Sequence, residues 1–127
     1  MNQNRETEYK SPPVGQEISC VMHGIKKDFL LNNNLFESLL KEALQKDKFN
    51  VLNFVSHSFT PKGYTAVALL SDSHLAIHTY PEHDTVYFNM YSCRGPKDSE
   101  KTFNFIKEKL KPVSILFFKN EEVRVKK

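Results

Sequence analysis

The sequence holds only two cysteines, Cys20 and Cys93, and they stand far apart. In a chain with no export signal, such a pair reads as two free thiols in a reducing compartment, the cytoplasm, and not as a disulfide. Long apolar runs are missing as well. None reaches the length of a membrane span, and the opening MNQNRETEYKSPPVG has no apolar centre of the kind that directs export. Residues 1–14 therefore read as a polar, mobile leader, and 15–127 as one domain. Charge of one sign is also scarce. With 18 Lys and Arg against 15 Asp and Glu, the net charge is +3, which gives no reason to expect nucleic acid as the partner. The basic end VRVKK, 123–127, reads as a solvated tail. No internal repeat and no low-complexity linker divide the chain. Its 127 residues, 39% hydrophobic and 12% aromatic, suit one globular domain with one core.

What is present is mostly strand. GQEISCVMHGI (15–25), FNVLNFVSHSF (49–59), YTAVALLSD (64–72), SHLAIHTY (73–80), TVYFNMYSC (85–93) and VSILFFK (113–119) read as six strands. Two helices interrupt them. NNLFESLLKEALQKDK (33–48) is amphipathic, with Leu35, Leu39, Ala43 and Phe36, Leu40, Leu44 at spacings of three and four. A second helix follows the Gly95–Pro96 break, with Asp98 or Ser99 as its cap and Phe103, Ile106 and Leu110 on one face. Pro61 and Gly63 mark a turn. The order β-α-β-β-β-β-α-β, with short central connections, predicts an α+β two-layer sandwich: a mainly antiparallel sheet with two helices on one face.

The strands are apolar on both faces. Val67 and Leu69 alternate with Ala66, Ala68 and Leu70, and Val51 and Val55 with Leu52 and Phe54. Two helices cover only one face, and the chain has no residues left for a second layer. A second copy packed sheet against sheet supplies it, so the pattern predicts a homodimer.

The stretch LLSDSHLAIHTYPE (69–82) breaks the apolar rule. On a strand, Ser73, Leu75 and Ile77 share one face and His74, Ala76 and His78 the other. Metal is not assigned to the two histidines, because spacing of four suits a helix and no further Cys or His stands at a usual zinc spacing. Asp72–Ser73 reads either as an ordinary turn dipeptide or as a reactive bond. A serine hydroxyl can attack the preceding carbonyl where strain and oxyanion donors offset amide resonance. Cys93, beside Arg94, reads either as a small core residue or as a thiol whose ionised form a positive neighbour favours. His57 and Phe59 precede the turn in HSFTPKG (57–63), as a strand end with a core aromatic or as site residues.

Taken together, HSFTPKG, SDSHLAIHTYPE and YSCRG resemble the prokaryotic S-adenosylmethionine decarboxylase family. Its pattern runs H-x-F-x-P-x-G, then E-S-H-x-x-I-H-T-x-P-E, then a strand ending in Cys. From Ser73, the offsets to His78, Glu82 and Cys93 agree, and the similarity runs from about residue 17 to about 118. The resemblance implies a self-cleaving proenzyme. Ser73 attacks the Asp72 carbonyl, His78 helps remove the Ser73 α-proton, and Thr65 stands where a family serine assists. The products are a chain ending at 72 and one that begins at position 73 with a pyruvoyl group, the cofactor that forms a Schiff base with the substrate. By the same resemblance Cys93 returns a proton to the substrate, Phe59 stacks on adenine and Glu82 binds the ribose hydroxyls. The implied substrate is S-adenosylmethionine, whose product donates aminopropyl groups to spermidine and other polyamines. The active sites lie where two protomers meet, with neither nucleic acid nor membrane as partner.

Four positions depart from the commonest pattern: Asp72 for Glu, Thr65 for Ser, Tyr80 for Trp, and CRG for the usual Cys-Gly. They leave open a pyruvoyl-dependent arginine or ornithine decarboxylase, since the pocket alone separates these substrates. A non-catalytic regulatory paralogue is a third reading, against which Ser73, His78 and Cys93 are all present.

Overall fold

A computed structural model describes residues 9–126 of the chain. Six strands form one sheet in the order β2-β3-β4-β5-β1-β6, and every neighbouring pair is antiparallel. The strands are β1 (Val14–His23), β2 (Val51–Ser58), β3 (Tyr64–Leu70), β4 (His74–Tyr80), β5 (Thr85–Ser92) and β6 (Ser114–Arg124). The helices are α1 (Lys27–Leu30), α2 (Asn33–Lys46) and α3 (Glu100–Leu110), and a 3-10 turn covers Pro81–His83. The α+β sandwich expected from the sequence is the fold found. Of the leader expected over 1–14, residues 1–8 lie outside the described residues, and Val14 already belongs to β1.

The two long helices lie on one face. α2 buries Phe36, Leu39, Leu40, Ala43 and Leu44, while Leu35 is exposed. α3 buries Thr102, Phe103, Ile106 and Leu110. Against them stand the alternate residues of the central strands: Ile18, Cys20 and Met22; Ala66, Ala68 and Leu70; Leu75 and Ile77; Val86, Phe88 and Met90. The alanines of β3 let the helix layer approach, and the larger side chains of β4 and β5 fill the space beside them.

The other face carries no second layer within the described residues. Val67, Leu69, Val55 and Leu116 point there, between 43 and 60% exposed. Cross-strand rows run over this face. One is His57–Thr65–His78–Tyr87–Val21–Leu116, and its neighbour is Val55–Val67–Ala76–Asn89–Ser19–Lys119. An uncovered apolar surface of this extent is unusual on a monomer.

Several features differ from the expectation, each for a local reason. α1 and the 3-10 turn are single turns, too short to show a period. β6 continues to Arg124, so Val123 and Arg124 pair with β1 and are not free tail. β6 and β2 are the sheet edges, and the pairing of each slips by one residue, β6 near Phe117 and β2 at Leu52. Bulged edges resist further strand addition. Finally, the Ser99 side chain makes no cap bond. Its place is taken by Asp47 at the end of α2, whose Oδ2 accepts from the Thr102 N–H and hydroxyl, both at 2.7 Å.

Asp47 thus caps a helix 55 residues away in sequence, joining the two helices end to end. Replacing Asp47 with Ala leaves the third N–H of α3 without its acceptor. We expect a loss of about 1–2 kcal/mol, typical of a removed cap, read from urea unfolding as a lower midpoint at unchanged slope. A midpoint equal to that of the wild type would refute the cap.

Candidate active site

The β3–β4 connection is tight. Leu70 N–H donates to the Ser73 carbonyl at 2.9 Å, and Ser71 N–H to the Asn50 carbonyl at 3.2 Å. Three residues, Ser71, Asp72 and Ser73, therefore reverse the chain, which places the Asp72–Ser73 peptide on the turn. Ser73 is 6% exposed. Its hydroxyl donates to Asp72 Oδ1 at 3.1 Å and accepts from the Cys93 N–H at 3.2 Å. Ser73 and Cys93 thus meet at one end of the sheet, where β4 begins and β5 has just ended.

Cys93 is half-buried and free. Tyr91, two residues back on β5, is the neighbour of Cys93 on this side. Burial first, and then Cys93, push the Tyr91 phenol above its usual range. Gly15 makes the approach possible: a Cβ there would sit 2.4 Å from the Ser92 carbonyl and 2.8 Å from the Tyr91 hydroxyl. The second cysteine is of another kind. Cys20 is fully buried, and burial pushes its thiol up to about 11, which keeps it neutral and unreactive.

The sequence set Arg94 beside the thiol as a source of positive charge. The structure turns its guanidinium toward the helix layer. There it lies 4.0 Å from the Phe49 ring centroid, donates to Asp98 Oδ2 at 2.6 Å and reaches the carbonyls of Asp47 and Lys48 at the end of α2. Helix C-termini favour cations, and the Phe49 face adds cation–π attraction. Asp98 also accepts from the Ser92 hydroxyl. Arg94 and Asp98 therefore fasten the loop that follows Cys93.

The remaining candidates lie elsewhere. His78 is on the open face near the far end of β4, paired directly across from Thr65. The Thr65 hydroxyl and His78 Nδ1 are 3.1 Å apart, and the Tyr87 ring flanks the imidazole at 6.2 Å. The motif residue between His78 and Tyr80 serves the fold instead. Thr79 points into the helix layer, where its hydroxyl accepts from the Tyr64 N–H at 2.9 Å. Glu82 lies exposed on the 3-10 turn that follows. Pro81 starts that turn, and Asp84, at φ 53°, ends it. The Asp84 carbonyl accepts from the Gly24 and Ile25 N–H groups, both at 2.9 Å, which anchors the turn to the end of β1.

Phe59 follows β2 at the same end of the sheet. Its N–H donates to the Gly63 carbonyl at 2.9 Å, closing the T-P-K-G loop. Gly63 adopts φ +121°, which other residues avoid, and a Cβ there would press on the Phe59 side chain at 3.3 Å. Phe59 is 51% exposed, and the His57 ring packs nearly perpendicular to it at 4.6 Å between centroids. The pocket beside Phe59 is lined by Leu30, Leu31, Asn33, Pro61, Lys62 and Gly63 and includes no other candidate residue.

Within one copy, then, the candidates fall into two groups. Asp72, Ser73 and Cys93 occupy one end of the sheet; Phe59, Thr65, His78 and Glu82 occupy the other half. Five residue steps along the strand separate Ser73 from His78, roughly 16 Å at the usual rise, and the two side chains point to opposite faces. Tyr91, Arg94 and Tyr9, whose hydroxyl lies 2.6 Å from Asp72 Oδ2, join the first group without having been singled out for these roles by the sequence. No residue pattern announces a tyrosine that returns from the opening segment.

Comparison with known proteins fits both fold and motifs. The pattern of the S-adenosylmethionine decarboxylase family matches residues 16–121. An S-adenosylmethionine decarboxylase proenzyme of Archaeoglobus fulgidus is 31% identical over 101 residues, 80% of this chain and 90% of the relative. One of Caldicellulosiruptor saccharolyticus is 33% identical over 98 residues, 77% of this chain and 79% of the relative. The crystal structure of the adenosylmethionine decarboxylase from Aquifex aeolicus superposes with a TM-score of 0.77 at 25% identity, covering 91% of this chain and 92% of that one. With a match over residues 16–121 and the same fold, this chain belongs to the S-adenosylmethionine decarboxylase family.

Proposed function

We propose that the chain is a self-processing decarboxylase of S-adenosylmethionine, supplying the aminopropyl donor for polyamine synthesis. Its working unit is a homodimer in which each site combines the Ser73 end of one copy with the His78 half of the other. One observation carries the reading: the Cys93 N–H lies 3.2 Å from the Ser73 hydroxyl across 20 residues of sequence.

In self-cleavage the Ser73 hydroxyl attacks the Asp72 carbonyl from within the turn. Asp72 Oδ1 already accepts its hydrogen, and the Cys93 N–H orients the oxygen. The amide becomes an ester, and His78 of the partner subunit takes the Ser73 α-proton, so that elimination releases the chain ending at 72 as a carboxylate and leaves dehydroalanine at 73, whose imine tautomer water hydrolyses with loss of ammonia. Thr65 holds that imidazole through Nδ1, leaving the other ring nitrogen to receive the proton.

The pyruvoyl group so formed at position 73 fits the space. Ser73 is small and nearly enclosed, with Cys93 as its neighbour. Such a group supplies an electron-withdrawing ketone that no ordinary side chain offers, and this is what the departure of carboxylate from an amino acid requires. Cys93 then delivers a proton to the substrate α-carbon, its position fixed by Tyr91 on one side and by the Arg94–Asp98 loop on the other. Phe59 offers an aromatic face for adenine, and Glu82 a carboxylate for the ribose hydroxyls. The aromatic face favours the nucleoside substrate over arginine or ornithine.

The pairing of ends follows from symmetry. A two-fold axis along the strands would bring like ends together and keep Ser73 far from His78. An axis across the strands, in the plane between two facing sheets, superposes opposite ends. The open apolar face supports such packing.

Three measurements test the reading. On a denaturing gel, wild-type protein should separate into residues 1–72 and 73–127, and Ser73→Ala should remain full length; an intact wild type contradicts self-cleavage. Carbon dioxide release assayed side by side should be far greater with S-adenosylmethionine than with arginine or ornithine, and equal or reversed rates would overturn the substrate. For the shared site, Cys93→Ala and Glu82→Ala should each lose about 100-fold or more in activity. Co-expressed, they form hybrid dimers in half of the population, each with one intact site, so about a quarter of wild-type activity returns. Absence of recovery in verified hybrids would place each site within a single copy.

A further inference from the structure

Tyr9 is 63 residues from Asp72 in sequence, yet its hydroxyl donates to Asp72 Oδ2 at 2.6 Å. The other oxygen of the same carboxylate, Oδ1, accepts from the Ser73 hydroxyl. One carboxylate thus links the opening segment of the chain to the nucleophile of the bond to be cut. Tyr9 is 59% exposed, so packing contributes little to its position, and the hydrogen bond is its visible tie. The bond to Asp72 is also the chief cause that pushes the Tyr9 phenol up to about 12, so the phenol stays protonated and able to donate across the neutral range.

The segment reaches the site because of how β1 is placed. Gln16 pairs with Ser92, so the residues before Val14 leave the sheet beside Cys93. The Pro13 carbonyl accepts from the Val125 N–H at 2.9 Å, which fixes where the segment departs. Asp72 itself stands on a turn with two side-chain torsions free. A donor on Oδ2 removes that freedom and leaves Oδ1 aimed at Ser73.

We propose that Tyr9 is a positioning residue for self-cleavage: its hydroxyl orients the Asp72 carboxylate so that Oδ1 takes the Ser73 proton. This rests on the self-cleavage proposed above. In the step, the Ser73 Oγ–H proton passes to Asp72 Oδ1 while Oγ bonds to the Asp72 carbonyl carbon. The carbon–nitrogen bond of the Asp72–Ser73 peptide breaks, and the proton moves from Oδ1 to the departing nitrogen. An ester and a free amine result, and no other reactant is consumed.

The test is a time course of fragment formation from freshly refolded full-length proenzyme. Wild type, Tyr9→Phe, Asp72→Asn and the double variant are followed on denaturing gels at neutral pH. Tyr9→Phe keeps the ring, and an unchanged urea midpoint verifies its fold. Cleavage in Tyr9→Phe should be about tenfold slower, the size of one hydrogen bond to a charged group. In the Asp72→Asn background, Tyr9→Phe should add nothing further. Equal rates in wild type and Tyr9→Phe, or slowing that multiplies with that of Asp72→Asn, would overturn the role while leaving self-cleavage standing. A wild-type chain that never cleaves would overturn both.

Discussion

Five residue steps of extended backbone separate Ser73 from His78, and most of the functional reading follows from that spacing. A strand is stiff and its side chains alternate, so no rotamer choice can bring the two together. The same is true of Phe59 and Glu82, which are anchored at the far end by the Gly63 loop and by the turn that begins at Pro81. On the proposed reading, a single copy therefore carries two incomplete halves of one chemistry. An uncovered sheet face spans the distance between them, and it carries the small or apolar Val67, Ala76, Ser19 and Val21 around Asn89. That surface suits a second sheet better than it suits water.

The helix layer serves the site from the other side. Asp47 ends α2 and caps α3, while the carbonyls of Asp47 and Lys48 receive the Arg94 guanidinium. One junction thus sets the distance between two helices and the path of the chain after Cys93. A proton donor in this chemistry has to serve one carbon of the substrate and no other, which demands a fixed loop more than an acidic thiol. Arg94 contributes to the first through hydrogen bonds and the Phe49 face. The guanidinium points into this junction and makes its hydrogen bonds there.

Much of this is legible in the sequence, and what is hidden has physical reasons. Alternation in YTAVALL and SHLAIHTY marks strands with two apolar faces, and the 3.6-residue period of LFESLLKEAL marks α2, because burial imposes those periods. The end of β6 is not marked in this way: KNEEVR lies on an edge strand, where water reaches both sides and alternation is not enforced. Leu35 satisfies the helical spacing but sits in the first turn, off the buried stripe. Ser73, His78 and Cys93 are recognisable from linked motifs, whereas their division into two ends is not, since spacing along a chain does not tell which copy completes a site. Tyr9 is invisible, because a bond across 63 residues from a polar segment leaves no local pattern.

The departures from the common motif acquire a meaning from their neighbours. Aspartate in place of glutamate before the cut keeps the carboxylate and shortens its reach by one methylene. Here it still reaches the Ser73 hydroxyl, with Tyr9 holding its other oxygen. Threonine in place of serine at 65 keeps the oxygen that meets His78 Nδ1, and its added methyl narrows χ1 on a strand where that restriction is favourable. What the site requires at each position is an oxygen in a given place, and the backbone that delivers it sets which side chain can serve. A shorter acid held from outside the turn and a stiffer alcohol held by its strand are two ways to meet the same requirement, with the positional freedom lost at the side chain supplied by a contact elsewhere in the fold.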